Sequence, residues 1–412
     1  MSNDNQHIPS GYKPSPLGII PEEWEVKRLG EIFTFKNGVN AGKDSYGEGV
    51  RFVNTMDVLN NEYITGKILR GRVAINEKTK NEFLVSFGDV LFNRTSETRE
   101  EVGCSTVYLD NEDAVFGGFV IRAHDIDAII LNPRFKQYCF QPSYIRNQIS
   151  ALGNGAIRYN LGQEDLSKVN LLIPTKVEQE AIVSVISLWD TAIAKQTALI
   201  EQLTLRKRGL MQQLLTGKKR LKGFEGGSFH RLGNYISECN RRNNGCKRVL
   251  SVTNTRGFIL QEEQFDKIVA SNDTSNYKVV RRGEFAYNPS RVNVGSLAML
   301  NEYDEGILSP MYIVFKANEN IDKSYLLQCL QSWWFRGHIP AYTQGSVRDS
   351  LSFDGLCSMK FYIPKLQEQK AISAILEHAD KEIEIQKQKL AAMQAQKKGL
   401  MQVLLTGKKR IK

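Results

Sequence analysis

One basic segment occurs twice in this chain of 412 residues. "GLMQQLLTGKKRLK" covers residues 209–222 and "GLMQVLLTGKKRIK" covers residues 399–412, so the offset is 399 − 209 = 190. The correspondence extends upstream at the same offset, where Arg146 matches Arg336 and the "IP" at 173–174 matches the "IP" at 363–364. Two long copies predict that one domain and the segment following it each occur twice. They do not predict a solenoid of short repeats.

The two copies differ in length near their beginnings. The "RLG" at 28–30 matches the "RLG" at 231–233 at an offset of 203, so the second copy is 203 − 190 = 13 residues shorter in its first part. Short apolar runs broken by Gly and Asn, such as "FGDVLFN" and "GGFVIRA", predict strands and turns in each copy. Helical segments are expected near 133–151 and 323–341.

The segments that follow the two domains differ from them in composition, because no proline occurs in 175–222 or 365–412. "TKVE" at 175–178 fits a capping box at the start of a helix. We therefore predict an α+β chain of two mixed α/β domains separated by two long antiparallel coiled-coil helices, with pseudo-twofold symmetry. The expected segments are an N-terminal segment at 1–21, domains at 22–174 and 223–364, and helical regions at 175–222 and 365–412.

Both helical regions carry an apolar seam with alternating steps of four and three residues, which is typical of a coiled coil. Gln and Lys interrupt both seams at the same places, at 196 and 207 in the first and at 386 and 397 in the second. Polar seam residues fix the register of a helix pair at some cost in stability. The apolar seam residues are Ile182, Ile186, Trp189, Ile193, Ile200, Leu203, Leu210, Ile372, Leu376, Ile383, Leu390, Met393 and Leu400.

Composition narrows the class of protein. No apolar window is long enough for a transmembrane helix, and the polar N-terminus does not resemble a signal peptide, so we expect a cytoplasmic protein without a membrane partner. Cys239 and Cys246 are the closest pair of cysteines and lack nearby ligands, so no metal site is expected. The net charge of +10 suggests a polyanionic partner.

No catalytic residues are assigned. The chain lacks a phosphate-binding P-loop, a dinucleotide fingerprint and a nucleophile elbow. The "NPSR" at 288–291 only partly resembles an amino-methyltransferase motif, and "PEEWEVK" at 21–27 only loosely resembles a nuclease core. A stand-alone DNA nuclease or methyltransferase is therefore kept only as an alternative.

Loops of both predicted domains carry Lys, Arg, Asn and Thr in corresponding places, but the sequences of the loops differ. Arg, Lys and Asn side chains read base edges, and Thr hydroxyls hold phosphates, so the two domains should read different DNA sequences. The candidate DNA-binding residues are Lys36, Asn37, Asn40, Lys43, Asn54, Thr55, Arg94, Thr95, Arg158 and Tyr159 in the first domain, and Arg241, Arg242, Asn254, Thr255, Arg256, Arg291, Asn293 and Arg348 in the second.

The whole arrangement resembles the DNA specificity (S) subunit of type I restriction–modification systems. The resemblance rests on "KPSPLGIIPEEWEVKRLGEI" at 13–32, on the paired junctions "LIPTKVEQEAI" and "YIPKLQEQKAI", and on both "LLTGKKR" segments. It implies two target-recognition domains, each reading one half of a bipartite asymmetric site in double-stranded DNA. It also implies that the helices set the spacing and dock the methyltransferase subunits.

The resemblance further implies a non-catalytic subunit that binds no cofactor itself. Its partners would be two methyltransferase (M) subunits using S-adenosylmethionine and two restriction (R) subunits using ATP and Mg²⁺. An antiparallel coiled-coil scaffold without base readout is a second alternative. The sequence leaves open whether the basic tips at 218–220 and 408–410 contact acids of a partner or phosphates of DNA.

Overall fold

The computed structural model describes residues 8–155, 158–264, 273–343 and 350–411. The chain forms two compact units, one built from residues 1–195 and 390–412 and the other from residues 196–389. Each unit therefore contains one globular α/β domain together with a stretch of each long helix. The expected α+β class is confirmed.

The first domain is built around a five-stranded sheet. Its strands lie in the order Phe33–Asn37, Val120–Asp125, Val90–Asn93, Ser105–Tyr108 and Tyr63–Ile64, with only the last pair parallel. A three-stranded sheet joins Ala114–Phe116, Tyr46–Val53 and Arg72–Val73. The two-stranded pairs are Tyr12–Ser15 with Gly18–Pro21, Thr95–Ser96 with Tyr159–Asn160, and Glu25–Arg28 with Asn170–Ile173.

The second domain repeats the central strand order in a shorter form. Its four-stranded sheet runs Ile236–Glu238, Ile313–Ala317, Phe285–Tyr287 and Leu297–Met299, which are the counterparts of the first four strands of the larger sheet. The two-stranded pairs are Ser228–Arg231 with Lys360–Ile363, Leu250–Thr253 with Gly257–Leu260, and Lys278–Arg281 with Glu305–Leu308.

Local sequence explains why the central strands match. Gly88 and Gly283 both adopt a left-handed conformation, with φ of +87° and +78°, in the turn that precedes a central strand. Glycine tolerates this conformation without steric cost. The strands that follow, Val90–Asn93 and Phe285–Tyr287, are completely buried. The repeated "G-D/E" turn therefore sets the same strand in the same place in both domains.

Short helices complete each domain. The helical segments expected near 133–151 and 323–341 are present but broken, because Pro142 and Ser332 start a new helix in each. The short helices of the first domain are Leu29–Ile32, Thr55–Asn60, Glu77–Glu82, Lys136–Cys139, Ser143–Leu152 and Gln163–Ser167. Those of the second are Gln261–Gln264, Lys323–Gln331, Trp333–His338 and Phe353–Ser358.

Two long helices follow the domains, Lys176–Leu214 and Leu366–Leu404, each of 39 residues. A helix of this length extends about 58 Å at 1.5 Å per residue. Both end in the same way, because Gly217 and Gly407 adopt φ of +69° and reverse the chain. The backbone N–H of Lys219 then donates to the Gln213 carbonyl, and that of Lys409 donates to the Val403 carbonyl. The repeated "LLTGKKR" is therefore a helix stop.

No helix in the described part of the chain is both long and apolar enough to cross a membrane.

Candidate nucleic-acid interface

Half of the candidate DNA-binding residues are exposed on loops of the two domains. Lys43 begins a short turn at Lys43–Ser45, and Asn40 precedes it on the same loop. Arg158 is exposed, and it forms a long ion pair of 3.7 Å with the exposed Glu97. The exposed candidates are Asn40, Lys43, Arg158, Arg242, Asn254, Thr255, Arg256, Arg291 and Asn293.

The half-buried candidates of the first domain have roles in the fold. The Asn54 side chain accepts from the backbone of Asp57 and caps the helix Thr55–Asn60. Lys36 donates to a Glu82 carboxylate oxygen at 3.0 Å and lies over the Phe83 ring. Arg94 donates to the Gly118 carbonyl at 3.2 Å. These contacts explain the residues without DNA.

Five more candidates are tied into strands, helices and turns. Thr95 donates to the Asn160 side chain at 2.7 Å, across the strand pair that also holds Tyr159. Arg241 donates a hydrogen bond to the buried Glu284, and this bond is the main reason that the pKa of Arg241 is raised. Thr55 and Asn37 are half-buried at the first residue of a helix and the last residue of a strand.

The second domain gathers several candidates around one cavity. The turn 253–257 joins the strands Leu250–Thr253 and Gly257–Leu260, and it carries Asn254, Thr255 and Arg256 on its exposed side. Arg291 lines the same cavity of about 400 Å³ from a neighbouring turn. Amide, hydroxyl and guanidinium groups thus converge from two loops that are far apart in sequence. Arg348 lies outside the described residues.

The long helices run antiparallel, as polar contacts within each unit show. In one unit Lys207 is paired with Asp380 at 2.5 Å, and in the other Lys397 is paired with Asp190 at 2.5 Å. These are equivalent contacts, because each residue of one pair is 190 positions from its counterpart. The seam lysines are therefore satisfied by an aspartate on the opposite helix.

A self-equivalent contact marks the pseudo-twofold relation of the helices. The Gln196 amide donates to the side-chain oxygen of Gln386 at 2.8 Å and to its backbone carbonyl at 3.1 Å. Gln386 is itself the counterpart of Gln196 in the repeat, since 386 − 196 = 190. Two copies of one position meet each other only where a pair is locally twofold symmetric.

The apolar seam residues lie on the inner side of the helices. Ile186 and Leu376 are fully buried, whereas Trp189 and Met393 are half-buried. None of the predicted seam residues, all of which are described, falls in the exposed class. The seam thus forms the inner face of the helices within each unit.

The arginines of the basic tips bind glutamates of this chain. Arg220 donates two hydrogen bonds to Glu368, and Arg410 binds Glu178 and Glu23. The neighbouring tip lysines are exposed: Lys218, Lys219, Lys408 and Lys409. The arginines of the basic tips therefore bind acids of this chain. The exposed lysines stay available to a partner or to DNA.

Trp24 and Thr175 complete the site formed by Glu178 and Arg410. The indole N–H of Trp24 donates to the Glu178 carboxylate at 2.7 Å, and the Thr175 hydroxyl donates to it at 3.2 Å. Thr175 also accepts from the Glu178 backbone, as a helix cap does. The "PEEWEVK" segment is therefore part of a structural site that holds the ends of the helices.

Burial holds most of the cysteine thiols in their protonated form. Burial raises the pKa of Cys104, Cys239 and Cys357 above the ordinary value of 9.0, and it raises that of Cys329 to about 12. Such thiols stay protonated and are poor nucleophiles near neutral pH. Over the described ranges, no three His, Cys, Asp or Glu side chains are grouped so that they could hold a metal ion.

Sequence reasoning missed two kinds of residue. Asp190 and Asp380, which bind the seam lysines, lie one position beyond the seam and were not assigned any role. Arg336 was matched to Arg146 in the repeat but was not counted among the DNA-binding candidates, although it is exposed beside Asn254 and Thr255 in a cavity of about 330 Å³. The signal for Arg336 was available, because it is a basic residue repeated at a fixed offset.

Known proteins resemble this chain over nearly its whole length. A Methanocaldococcus jannaschii protein named as the type I restriction enzyme MjaVIII specificity subunit is 23% identical, and the match covers 95% of this chain and 94% of that protein. The solved S subunit of a type I restriction–modification system from M. genitalium covers 92% of this chain and 96% of its own, with 15% identity and a TM-score of 0.51.

A second solved structure has the same fold. It is described as showing complex assembly and conformational transition of the type I R-M system. It is 17% identical, has a TM-score of 0.58, and covers 94% of this chain and 99% of its own. The sequence profile of the type I restriction modification DNA specificity domain matches residues 21–205 and 233–395. The two matched ranges correspond to the two copies of the repeat. The chain therefore belongs to the family of proteins with type I restriction modification DNA specificity domains, and it carries two such domains.

Proposed function

We propose that each domain of this type I specificity subunit reads one half of a bipartite, asymmetric site in double-stranded DNA. The observation that carries the proposal is a shared scaffold with different loops. Both domains have the same order of four central strands, but their exposed loop residues differ. The target-recognition domains we assign are residues 22–174 and 223–364.

Base readout is best supported in the second domain. Arg256 and Arg291 line one cavity beside the turn 253–257, so two guanidinium groups can meet the same few base edges. Arg pairs bidentately with guanine and Asn with adenine in the major groove. In the first domain the exposed Asn40, Lys43 and Arg158 are the strongest candidates, because their side chains are not tied into the fold as those of Lys36 and Asn54 are.

The long helices are proposed to set the gap between the half-sites and to present docking surfaces to partner subunits. Lys–Asp pairs, the Gln196–Gln386 contact and the buried seam fix their register, as a spacer of constant length requires. The repeated surfaces would bind two methyltransferase subunits, and two restriction subunits would complete the assembly. S-adenosylmethionine, ATP and Mg²⁺ would be bound by those partners, in the cytoplasm where the DNA lies.

Methylation mapping tests this function. The full chain would be combined with its methyltransferase subunit and S-adenosylmethionine, and methylated adenines would be mapped on DNA of random sequence. We expect methylated sites to share two short sequences separated by a gap of constant length and variable composition.

Other results identify the alternatives. Methylation or binding without any sequence preference would show a coiled-coil scaffold that lacks base readout. Methylation or cleavage of DNA by the chain alone, without its partners, would show a stand-alone enzyme.

A further inference from the structure

Arg146 and Arg336 occupy equivalent positions of the repeat but have different surroundings. In the first domain the Arg146 guanidinium donates to three backbone carbonyls, those of Gly103 at 2.6 Å, Val102 at 2.8 Å and Glu100 at 3.0 Å. These bonds hold the loop that follows the strand Thr95–Ser96. Arg146 is therefore fully used by the fold.

Arg336 has no such role in the second domain. Its side chain is exposed on the helix Trp333–His338. Within the described part of the chain, the Arg336 guanidinium forms neither a hydrogen bond nor an ion pair. An arginine carries five N–H donors and is always charged, so this group can bind an anion without breaking a contact within the protein.

Gly295 keeps the space beside this guanidinium open. A Cβ atom at Gly295 would lie 3.3 Å from the Arg336 guanidinium and 3.4 Å from the Asn254 Cβ. The backbone of Gly295 has φ of +99°, which also favours glycine. Arg336 and Asn254 therefore both lie next to a position that has no side chain.

The cavity that Arg336 lines has donors and a positive charge but no carboxylate. Asn254, Thr255 and Gln331 contribute amide and hydroxyl groups to its wall. Lys207 also lines the cavity, but its charge is balanced by Asp380. The uncompensated charge of the site is that of Arg336. A single oxyanion held by one guanidinium and neighbouring polar groups fits this chemistry.

We propose that Arg336, with Asn254 and Thr255, forms a binding site for one phosphate of the DNA backbone. The inference rests on the proposed DNA-binding function and adds a contact that positions the second domain on the duplex without reading sequence. It also makes the two domains unequal, because the same arginine supports a loop in one and binds DNA in the other.

Binding of the full-length chain to a duplex selected by the wild-type protein tests the site. Arg336→Ala should weaken binding roughly tenfold, as the loss of one charged contact predicts, and should reduce the slope of log affinity against log salt by about one unit. A scrambled duplex should lose affinity by the same factor, because a phosphate contact carries no sequence information.

Two variants serve as controls. Arg231→Ala removes the same charge from an exposed position on the strand Ser228–Arg231 and should leave affinity and salt slope nearly unchanged. Arg146→Ala should lower the unfolding midpoint in urea, whereas Arg336→Ala should not. Replacing single phosphates by neutral methylphosphonates should reveal one position at which the wild type and Arg336→Ala bind equally.

Each outcome has a definite meaning. Unchanged affinity in Arg336→Ala, or an equal loss in Arg231→Ala, would overturn the site. A loss confined to the selected duplex would also overturn it, because Arg336 would then read a base. If the wild type itself showed no sequence preference, the proposed function would fail, while the salt slopes would still report on the phosphate contact.

Discussion

Arg220 and Glu368 form a two-point ion pair at one end of the helix pair. The Nε of Arg220 lies 2.9 Å from one carboxylate oxygen of Glu368, and a terminal guanidinium nitrogen lies 2.6 Å from the other. Glu368 lies in the first turn of the second long helix, where the helix dipole also stabilises a carboxylate. In the other unit the Nε of Arg410 donates to Glu178 in the same way, while its terminal guanidinium nitrogen donates to Glu23. The duplicated "TGKKR" thus ties the end of each helix to the beginning of the other.

The first prediction concerns this pair. Arg220→Ala should leave the Glu368 carboxylate, whose side chain is only 1% exposed, buried without its partner. The free energy of unfolding should fall, since the Glu368 carboxylate would stay buried but lose its charged partner. Chemical denaturation followed by circular dichroism would measure the change.

The neighbouring lysine provides the control for Arg220. Lys219→Ala removes a charge from an exposed side chain and should change the free energy of unfolding by less than about 0.5 kcal/mol. Equal effects of the two substitutions would show that the ion pair does not stabilise the helix ends.

The second prediction concerns acid stability. Burial acts to raise the pKa of Glu178, but hydrogen bonds from Arg410 and Trp24 and the charge of Arg410 outweigh it and hold this pKa below the ordinary 4.5. Glu178 therefore stabilises the folded chain above about pH 4.5, and this contribution disappears as the pH falls through the folded pKa.

Comparison with Glu178→Gln isolates this contribution. The difference in urea midpoint between wild type and variant should be largest near pH 7 and should shrink below about pH 4.5. A difference that stays constant down to pH 3.5 would show that Glu178 does not titrate with a lowered pKa.

The third prediction uses two isoleucines of the second long helix. Ile383 is 8% exposed on the seam, whereas Ile385, two residues later, is 61% exposed. Ile383→Asp places an unpaired charge in the helix interface, which is strongly unfavourable. It should lower helix content and the yield of complex with the methyltransferase subunit. Ile385→Asp should leave helix content close to that of the wild type, so matching losses in both variants would argue against the seam.

Much of the helix pair was predictable because its pattern is periodic. Steps of four and three identified the seam, and Lys207 and Lys397 stood out as interruptions at equivalent places. Their partners were not predictable, because Asp190 and Asp380 lie beside the seam rather than on it. The pairing depends on which faces of the two helices meet, and a sequence repeat does not specify this.

The loop residues were harder to assign, because sequence shows residue type but not neighbours. Lys36 and Arg241 had the chemistry of DNA contacts, yet they lie beside Glu82 and Glu284, which are 46 and 43 positions further along the chain. Asn54 had the chemistry of a base reader but caps a helix. A polar loop residue is equally suited to hold its own fold and to bind a ligand.

The fourth prediction tests the helices as a spacer. Inserting four helix-forming residues after Gln202 should lengthen the first long helix by about 6 Å, at 1.5 Å per residue. The preferred gap between half-sites should grow by roughly one to two base pairs, since each base pair of duplex rises about 3.4 Å. The half-sites themselves should be unchanged, because the recognition loops are untouched.

The spacer prediction is measured by methylation across duplexes whose gap varies one base pair at a time. The matched control inserts four residues after Glu225, in the exposed turn that follows the helix stop. That insertion should leave the optimum gap where it is. If the helix insertion also leaves the optimum in place, the helices do not set the gap.

Selection of bound duplexes from a random pool tests the central claim most directly, with the wild-type chain, Arg158→Ala and Arg291→Ala compared under one salt concentration. The wild type should select two separate sequence tracts at a fixed distance. Arg158→Ala should relax or weaken only one tract and Arg291→Ala only the other, with a cost of about 1–3 kcal/mol if each arginine reads a base bidentately. A single continuous tract, or variants that each alter both tracts, would contradict the account of two independent readers.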